Sequence, residues 1–61
     1  MNNKKFLAIL KRNGYTLTRI KGSHNIFKKE GKHISIPIKK GKDIHRGMIN
    51  RLIKENNLQG V

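Results

Sequence analysis

The chain has 61 residues, no cysteine and a formal net charge of +12, from 15 lysine and arginine residues against three acidic ones. A chain this short buries only about 60% of its unfolded surface, so residues 1–61 are expected to form a single domain with a modest core. The lack of cysteine excludes disulfides and thiolate metal sites. A surface this basic favours a polyanionic partner, either nucleic acid, an anionic membrane or an acidic protein.

Membrane insertion and secretion are not expected. No apolar run approaches the about 20 residues that cross a bilayer. The apolar stretch at residues 6–10 is too short for a secretory signal, and no small-residue cleavage site follows it. These features predict a cytoplasmic protein that does not use a membrane as its partner.

Apolar periodicity predicts a helix near each end of the chain. In the first, over residues 3–13, one face is formed by Phe6, Leu7 and Leu10, with Ile9 near its edge. Gly14 is expected to end this helix in the left-handed conformation. The second, over residues 46–56, has an apolar stripe of Met48, Ile49, Leu52 and Ile53, and Asp43 is one candidate for its cap.

Three segments between the helices have strand character, at residues 15–21, 24–29 and 33–38. The two short turns between them, Gly22-Ser23 and Glu30-Gly31, predict an antiparallel meander. Pro37 cannot donate to a ladder and is expected at an edge or strand end. The order αβββα predicts an α+β fold, with a three-stranded antiparallel sheet, two helices on one of its faces and the other face open.

Strand alternation predicts which side chains the open face carries. If Phe27 points inward, the outward residues of the second strand are His24, Ile26 and Lys28. The neighbouring strands then contribute Arg19, Lys21, His33 and Ser35. Leu17 is also expected on this face, unless a bulge or a register shift changes the alternation.

His24 is expected to be accessible, because it follows the Gly22-Ser23 turn at the start of a strand. An imidazole exchanges protons near neutral pH. RNA carries its own nucleophile, the 2′-hydroxyl, so an imidazole base surrounded by cations can cleave it without a metal ion. The residues alone leave three roles open for His24: a general base, a phosphate contact or a turn residue.

Metal-dependent chemistry is not predicted. The three histidines, His24, His33 and His45, are far apart in sequence and have no cysteine or acidic cluster beside them. The three acidic residues are isolated, whereas a magnesium-dependent nuclease normally needs a tighter acidic cluster. The glycines fit turns and caps rather than a phosphate-cradling loop, so no cofactor is expected.

A basic loop, Lys39-Lys40-Gly41-Lys42, is expected either to hold phosphates or to be solvated. Aromatic residues are few, and Phe6 and Phe27 are best explained as core. Contact with RNA through phosphates and shape is therefore favoured over the stacking of bases.

Taken in order, these residues resemble the HicA (YcfA-like) mRNA interferase toxins over nearly the whole chain. The matching pieces are the leading amphipathic helix, Gly14-Tyr15, the Arg19–His24 stretch ending in Gly-Ser-His, Ile36-Pro37-Ile38, and Gly47 with Ile49, Leu52 and Ile53. The resemblance implies a fold like the double-stranded-RNA-binding domain and ribosome-independent RNA cleavage. It also implies that His24 is catalytic and that a HicB-type antitoxin covers the active site.

Two positions depart from the pattern of these toxins. Lys39 and Lys40 follow the third strand, where such toxins often have a histidine shortly after the proline. Gly47-Met48 stands where a Gly-Thr pair is often seen, which removes a hydroxyl.

The leading hypothesis is a metal-independent endoribonuclease toxin in which His24 is the general base. The RNA-binding residues are predicted to be Arg19, Lys21, Ser23, Lys28, Lys39, Lys40 and Lys42. The predicted partners are mRNA and the antitoxin, with no metal or other cofactor. The alternatives are a non-catalytic RNA-binding module of the same fold, a DNA-binding protein that uses its second helix, and an interaction piece for an acidic antitoxin.

Overall fold

A computed structural model describes all residues, 1–61, and gives the predicted order αβββα. Its elements are α1 (Asn3–Arg12), β1 (Thr16–Lys21), β2 (His24–Lys29), β3 (Lys32–Pro37) and α2 (Arg46–Glu55). The strands form one antiparallel sheet in the order β1-β2-β3. The predicted α+β fold is confirmed, and its arrangement is consistent with a double-stranded-RNA-binding-domain-like fold. No helix is long and apolar enough to cross a membrane.

Both ends of α1 are capped by local hydrogen bonds. The Asn2 side chain accepts from the backbone N–H of Lys5 at 2.8 Å. At the other end Gly14 has a φ of +91°, and the Tyr15 N–H donates to the Leu10 carbonyl at 3.0 Å. The left-handed conformation of Gly14 ends the helix and reverses the chain direction, and the next residue, Tyr15, is buried in the core.

Two-residue turns fix the register of the sheet, because Lys21 pairs with His24 and Lys29 pairs with Lys32. Within β1 a bulge interrupts the regular pairing with β2.

The bulge changes where Leu17 points. Leu17 pairs with Phe27, whereas Arg19 pairs with Ile26, so Thr18 is an extra residue on β1. The Thr18 hydroxyl donates to the Ile26 carbonyl at 3.2 Å. Leu17 therefore shares the helix-facing side with Phe27, and its expected place on the open face was wrong.

The helices cover the sheet face that carries Phe27, Ile34 and Ile36. The core consists of Phe6, Ile9, Leu10, Tyr15, Phe27, Ile34, Ile36, Ile44, Ile49, Leu52 and Leu58. Ile9, expected at the edge of the α1 stripe, is buried, whereas Leu7 is only partly buried. Pro37 ends the edge strand β3, as predicted.

The cap of α2 is His45. Asp43, the candidate cap from the sequence, does not cap the helix. The His45 Nδ1 atom accepts from the Gly47 N–H at 3.0 Å. The helix begins this late because Ile44 is buried and its N–H donates to Asn3 Oδ1 at 2.6 Å. A Cβ on residue 47 would lie 3.0 Å from the His45 ring, so glycine is what lets the ring lie over the first turn.

Replacing His45 with alanine is expected to lower the free energy of unfolding by about 0.5–1 kcal/mol, because an N–H at the start of α2 loses its acceptor. The melting temperature should then fall by about 2–8 °C. Thermal unfolding followed by circular dichroism measures this fall. The matched variant His45→Asn keeps a side-chain acceptor and should melt near wild type. Equal melting of His45→Ala and wild type would refute the capping role.

Candidate active site on the open sheet face

The outer face of the sheet carries three cross-strand rows of side chains. Residues that pair across neighbouring strands point to the same side, and Phe27 points to the core, so its neighbours in β2 point outward. From one end the rows are Lys21–His24–Pro37, Arg19–Ile26–Ser35 and Thr16–Lys28–His33. Successive rows are about 7 Å apart, which is two residues along a strand. The predicted outward placement of the six polar side chains and of Ile26 is confirmed.

His24 is the first residue of β2 and is exposed. The turn before it is held by the Ser23 carbonyl, which accepts from the Ile38 N–H at 2.7 Å and from Asn25 Nδ2 at 3.2 Å. The His24 imidazole itself makes no hydrogen bond within the chain. A firmly held backbone therefore presents a ring whose two nitrogens are both open to a ligand.

The charges around His24 are positive and unpaired. Lys21 lies opposite His24 on β1, and Arg19 lies in the next row. The ion pair of the chain, Arg51–Glu55 at 3.6 Å, is on α2 and not on the sheet. Since no carboxylate lies within ion-pair distance of Arg19 or Lys21, both cations remain available to an anionic ligand.

His33 does not lie beside His24. It pairs with Lys28, four residues along β2 from His24, a separation of about 13–14 Å for an extended strand. The two imidazoles are too far apart to exchange protons with the same phosphodiester. No cluster of three or more histidine, aspartate or glutamate side chains is placed to hold a metal ion.

The basic loop begins at the His24 end of the sheet. Lys39 follows Ile38, the residue bonded to Ser23, and the Lys42 N–H donates to the Lys39 carbonyl at 3.0 Å. Asn3 of α1 fixes the far end of the loop, since its Nδ2 donates to the Lys42 carbonyl at 2.9 Å. Its three lysines, Lys39, Lys40 and Lys42, are exposed.

Three polar residues that support this face were not singled out from the sequence. Asn25 holds the turn before His24, Asn3 anchors the basic loop, and Thr18 closes the bulge. An asparagine in a strand or in a first helical turn carries no signal that points to such contacts. The bulge does have a signal, because Leu17 and Ile20 are an odd number of residues apart and cannot share a face of a regular strand.

A family model described as the HicA toxin of bacterial toxin–antitoxin systems matches residues 4–58. The chain belongs to the HicA toxin family. The match includes all three strands, α2 and the basic loop, and so covers the whole open face of this HicA toxin. Membership implies a partner antitoxin. Searches among curated proteins and among solved structures give no match.

Proposed function

We propose that this HicA toxin is a metal-independent endoribonuclease that cleaves mRNA with His24 as general base. The observation that carries the proposal is the exposed His24 imidazole, unbonded within the chain and in one row with Lys21 on an open cationic face. Attack by a 2′-hydroxyl requires an accessible base and an adjacent positive charge, and this face offers both.

In the proposed reaction His24 accepts the proton of the 2′-hydroxyl, and the resulting oxygen attacks the adjacent phosphorus. The bond from phosphorus to the 5′-oxygen of the next nucleotide then breaks. His24 returns its proton to this 5′-oxygen, which leaves a 2′,3′-cyclic phosphate and a 5′-hydroxyl. The distance to His33 supports a single histidine in both steps, since that imidazole is too far away to act on the same phosphodiester.

The cations of the face have separate roles in this proposal. Lys21 and Arg19 stabilise the charge that develops on the phosphoryl oxygens, since they are the cations nearest to His24 along the rows. Lys28 binds a phosphate farther along β2. Ser23 contacts the RNA beside His24, and the loop lysines, Lys39, Lys40 and Lys42, extend the RNA path from the same end of the sheet.

We further propose that a HicB-type antitoxin inhibits the toxin by covering the His24 face. The net charge of +12 supports an antitoxin whose contacting surface is acidic. An mRNA substrate places this activity in the cytoplasm.

The test is incubation of the purified protein, in EDTA, with a single-stranded RNA and with DNA of matched sequence. RNA should be cut and DNA should stay intact, because DNA lacks the 2′-hydroxyl nucleophile. Gel electrophoresis of labelled strands measures both reactions.

Two results would overturn the proposed reaction. Cutting of DNA, or cutting of RNA only after magnesium is added, would contradict a 2′-hydroxyl mechanism without metal. Salt-sensitive RNA binding with no cleavage would instead support the alternative of a non-catalytic RNA-binding module. Such a module would bind RNA through the same cationic face.

A further inference from the structure

A second feature of the open face lies away from His24. It is a hollow of about 340 Å³ lined by Thr18, Arg19, Ile26, Lys28 and His33. Each strand contributes one basic or titratable side chain to it: Arg19 from β1, Lys28 from β2 and His33 from β3. The hollow spans the second and third rows, whereas His24 lies in the first.

We propose that this hollow binds one nucleotide of the RNA next to the cleaved bond, with its phosphate held by Lys28 and His33. Arg19 lies in the row between these residues and His24, so it contacts this phosphate as well as the scissile one. The inference rests on the proposed function, because it places the scissile phosphate at His24. It makes His33 a phosphate-binding residue and not a partner in proton transfer.

The chemistry of the hollow fits a sugar-phosphate unit. Arg19, Lys28 and His33 offer N–H donors from three directions, and no carboxylate lies within ion-pair distance of any of them. Ile26 is the one large aliphatic side chain in the middle row of a polar face, and it provides an apolar floor on which a ribose can pack.

The bulge in β1 contributes to the shape of the hollow, because Thr18 and Arg19 are among the residues that line it. Thr18 is the extra residue on β1, and its hydroxyl is already donated to the Ile26 carbonyl at 3.2 Å. An extra residue bends a strand locally, and here the irregularity lies between Leu17 and Arg19. Thr18 is therefore a wall of the hollow that holds β1 in place, and the phosphate contacts come from the three basic side chains.

The distance between His24 and the hollow determines how long an RNA must be to occupy both sites. The centre of the hollow is one to two rows from His24, about 7–14 Å along β2. A dinucleoside monophosphate has one phosphate, which the site at His24 occupies, so it leaves the hollow empty. A longer RNA fills both sites, and only the longer RNA should depend on His33 and Lys28.

The experiment measures RNA affinity in a His24→Ala background, in which the RNA remains uncut. The probes are a short single-stranded RNA oligonucleotide of mixed sequence, followed by fluorescence anisotropy, and a dinucleoside monophosphate as competitor. Lys28→Ala should weaken oligonucleotide binding about tenfold and His33→Ala about three- to tenfold. Neither should change the affinity of the dinucleotide.

A matched variant controls for loss of charge. Lys4→Ala removes one exposed lysine on α1, outside the sheet, and should change oligonucleotide affinity less than about twofold. His33→Arg keeps a phosphate-binding cation and should bind the oligonucleotide like the background protein.

Three results would overturn the inference: unchanged affinity in His33→Ala, an equal loss in Lys4→Ala, or an equal loss for the dinucleotide. Failure of the proposed function has a separate signature, which is the absence of RNA cleavage by the protein that retains His24. The binding comparison is unaffected by that outcome, because it uses an uncut RNA throughout.

Discussion

His24→Ala is expected to reduce the rate of RNA cleavage by about 10²–10⁴-fold, the usual contribution of a positioned general base or acid. The loss should fall on the chemical step, because the cations of the face remain in place when the imidazole is removed. Single-turnover cleavage with saturating enzyme measures this step, and fluorescence anisotropy measures RNA affinity. The affinity should change less than about threefold, since the proposed phosphate contacts come from the lysines, Arg19 and His33, all of which remain.

His33→Ala is the matched control for this prediction, because it removes an imidazole from the same face about 13–14 Å away. At saturating RNA its cleavage rate should stay close to wild type. Loss of cleavage in both variants would mean that the two histidines act together, which the register of β2 and β3 opposes. Full cleavage by His24→Ala would remove His24 from the mechanism.

Phe6→Ala is expected to lower the free energy of unfolding by about 3–5 kcal/mol and the melting temperature by more than about 10 °C. Phe6 is 0% exposed and is one of three side chains fully enclosed in the core, with Leu10 and Ile36. Truncation of a buried phenylalanine costs about 3–5 kcal/mol. Native domains are stabilised by about 0.05–0.15 kcal/mol per residue, or about 3–9 kcal/mol for this chain. The loss is thus a large fraction of the free energy of unfolding. Far-UV circular dichroism on heating measures the melting temperature of the variant.

Ile20→Ala serves as the comparison for Phe6→Ala, since Ile20 is also a large apolar residue but is 60% exposed. Its free energy of unfolding should change by no more than about 0.5 kcal/mol. If Phe6→Ala melts at the wild-type temperature, Phe6 does not hold α1 against the sheet.

The helices and strands could be predicted from the sequence because local signals agree with each other. Apolar periodicity marks both helices, alternating isoleucines mark β3, and two-residue turns leave little choice of register. The outward placement of His24 followed from a single assumption, that Phe27 is buried.

The remaining features depend on contacts between distant parts of the chain. Ile44 and Leu58 are buried outside any periodic segment, so no pattern marks them. His45 caps α2 in place of Asp43 because Asn3, 41 residues away from Ile44, holds the preceding backbone. The placement of His33 away from His24 depends on the pairing of β3 with β2, in which His33 lies opposite Lys28.

If His24 activates the 2′-hydroxyl of RNA, removal of that hydroxyl beside the cleaved bond should prevent cleavage there. The cleavage site in a defined RNA is mapped, and the same RNA is then made with a single 2′-deoxynucleotide on the 5′ side of that bond. In EDTA, the wild-type protein should cut the unmodified RNA at this site and leave the modified bond intact. Cleavage of this bond at the same rate in both RNAs would contradict a 2′-hydroxyl mechanism, because the nucleophile would then be another group.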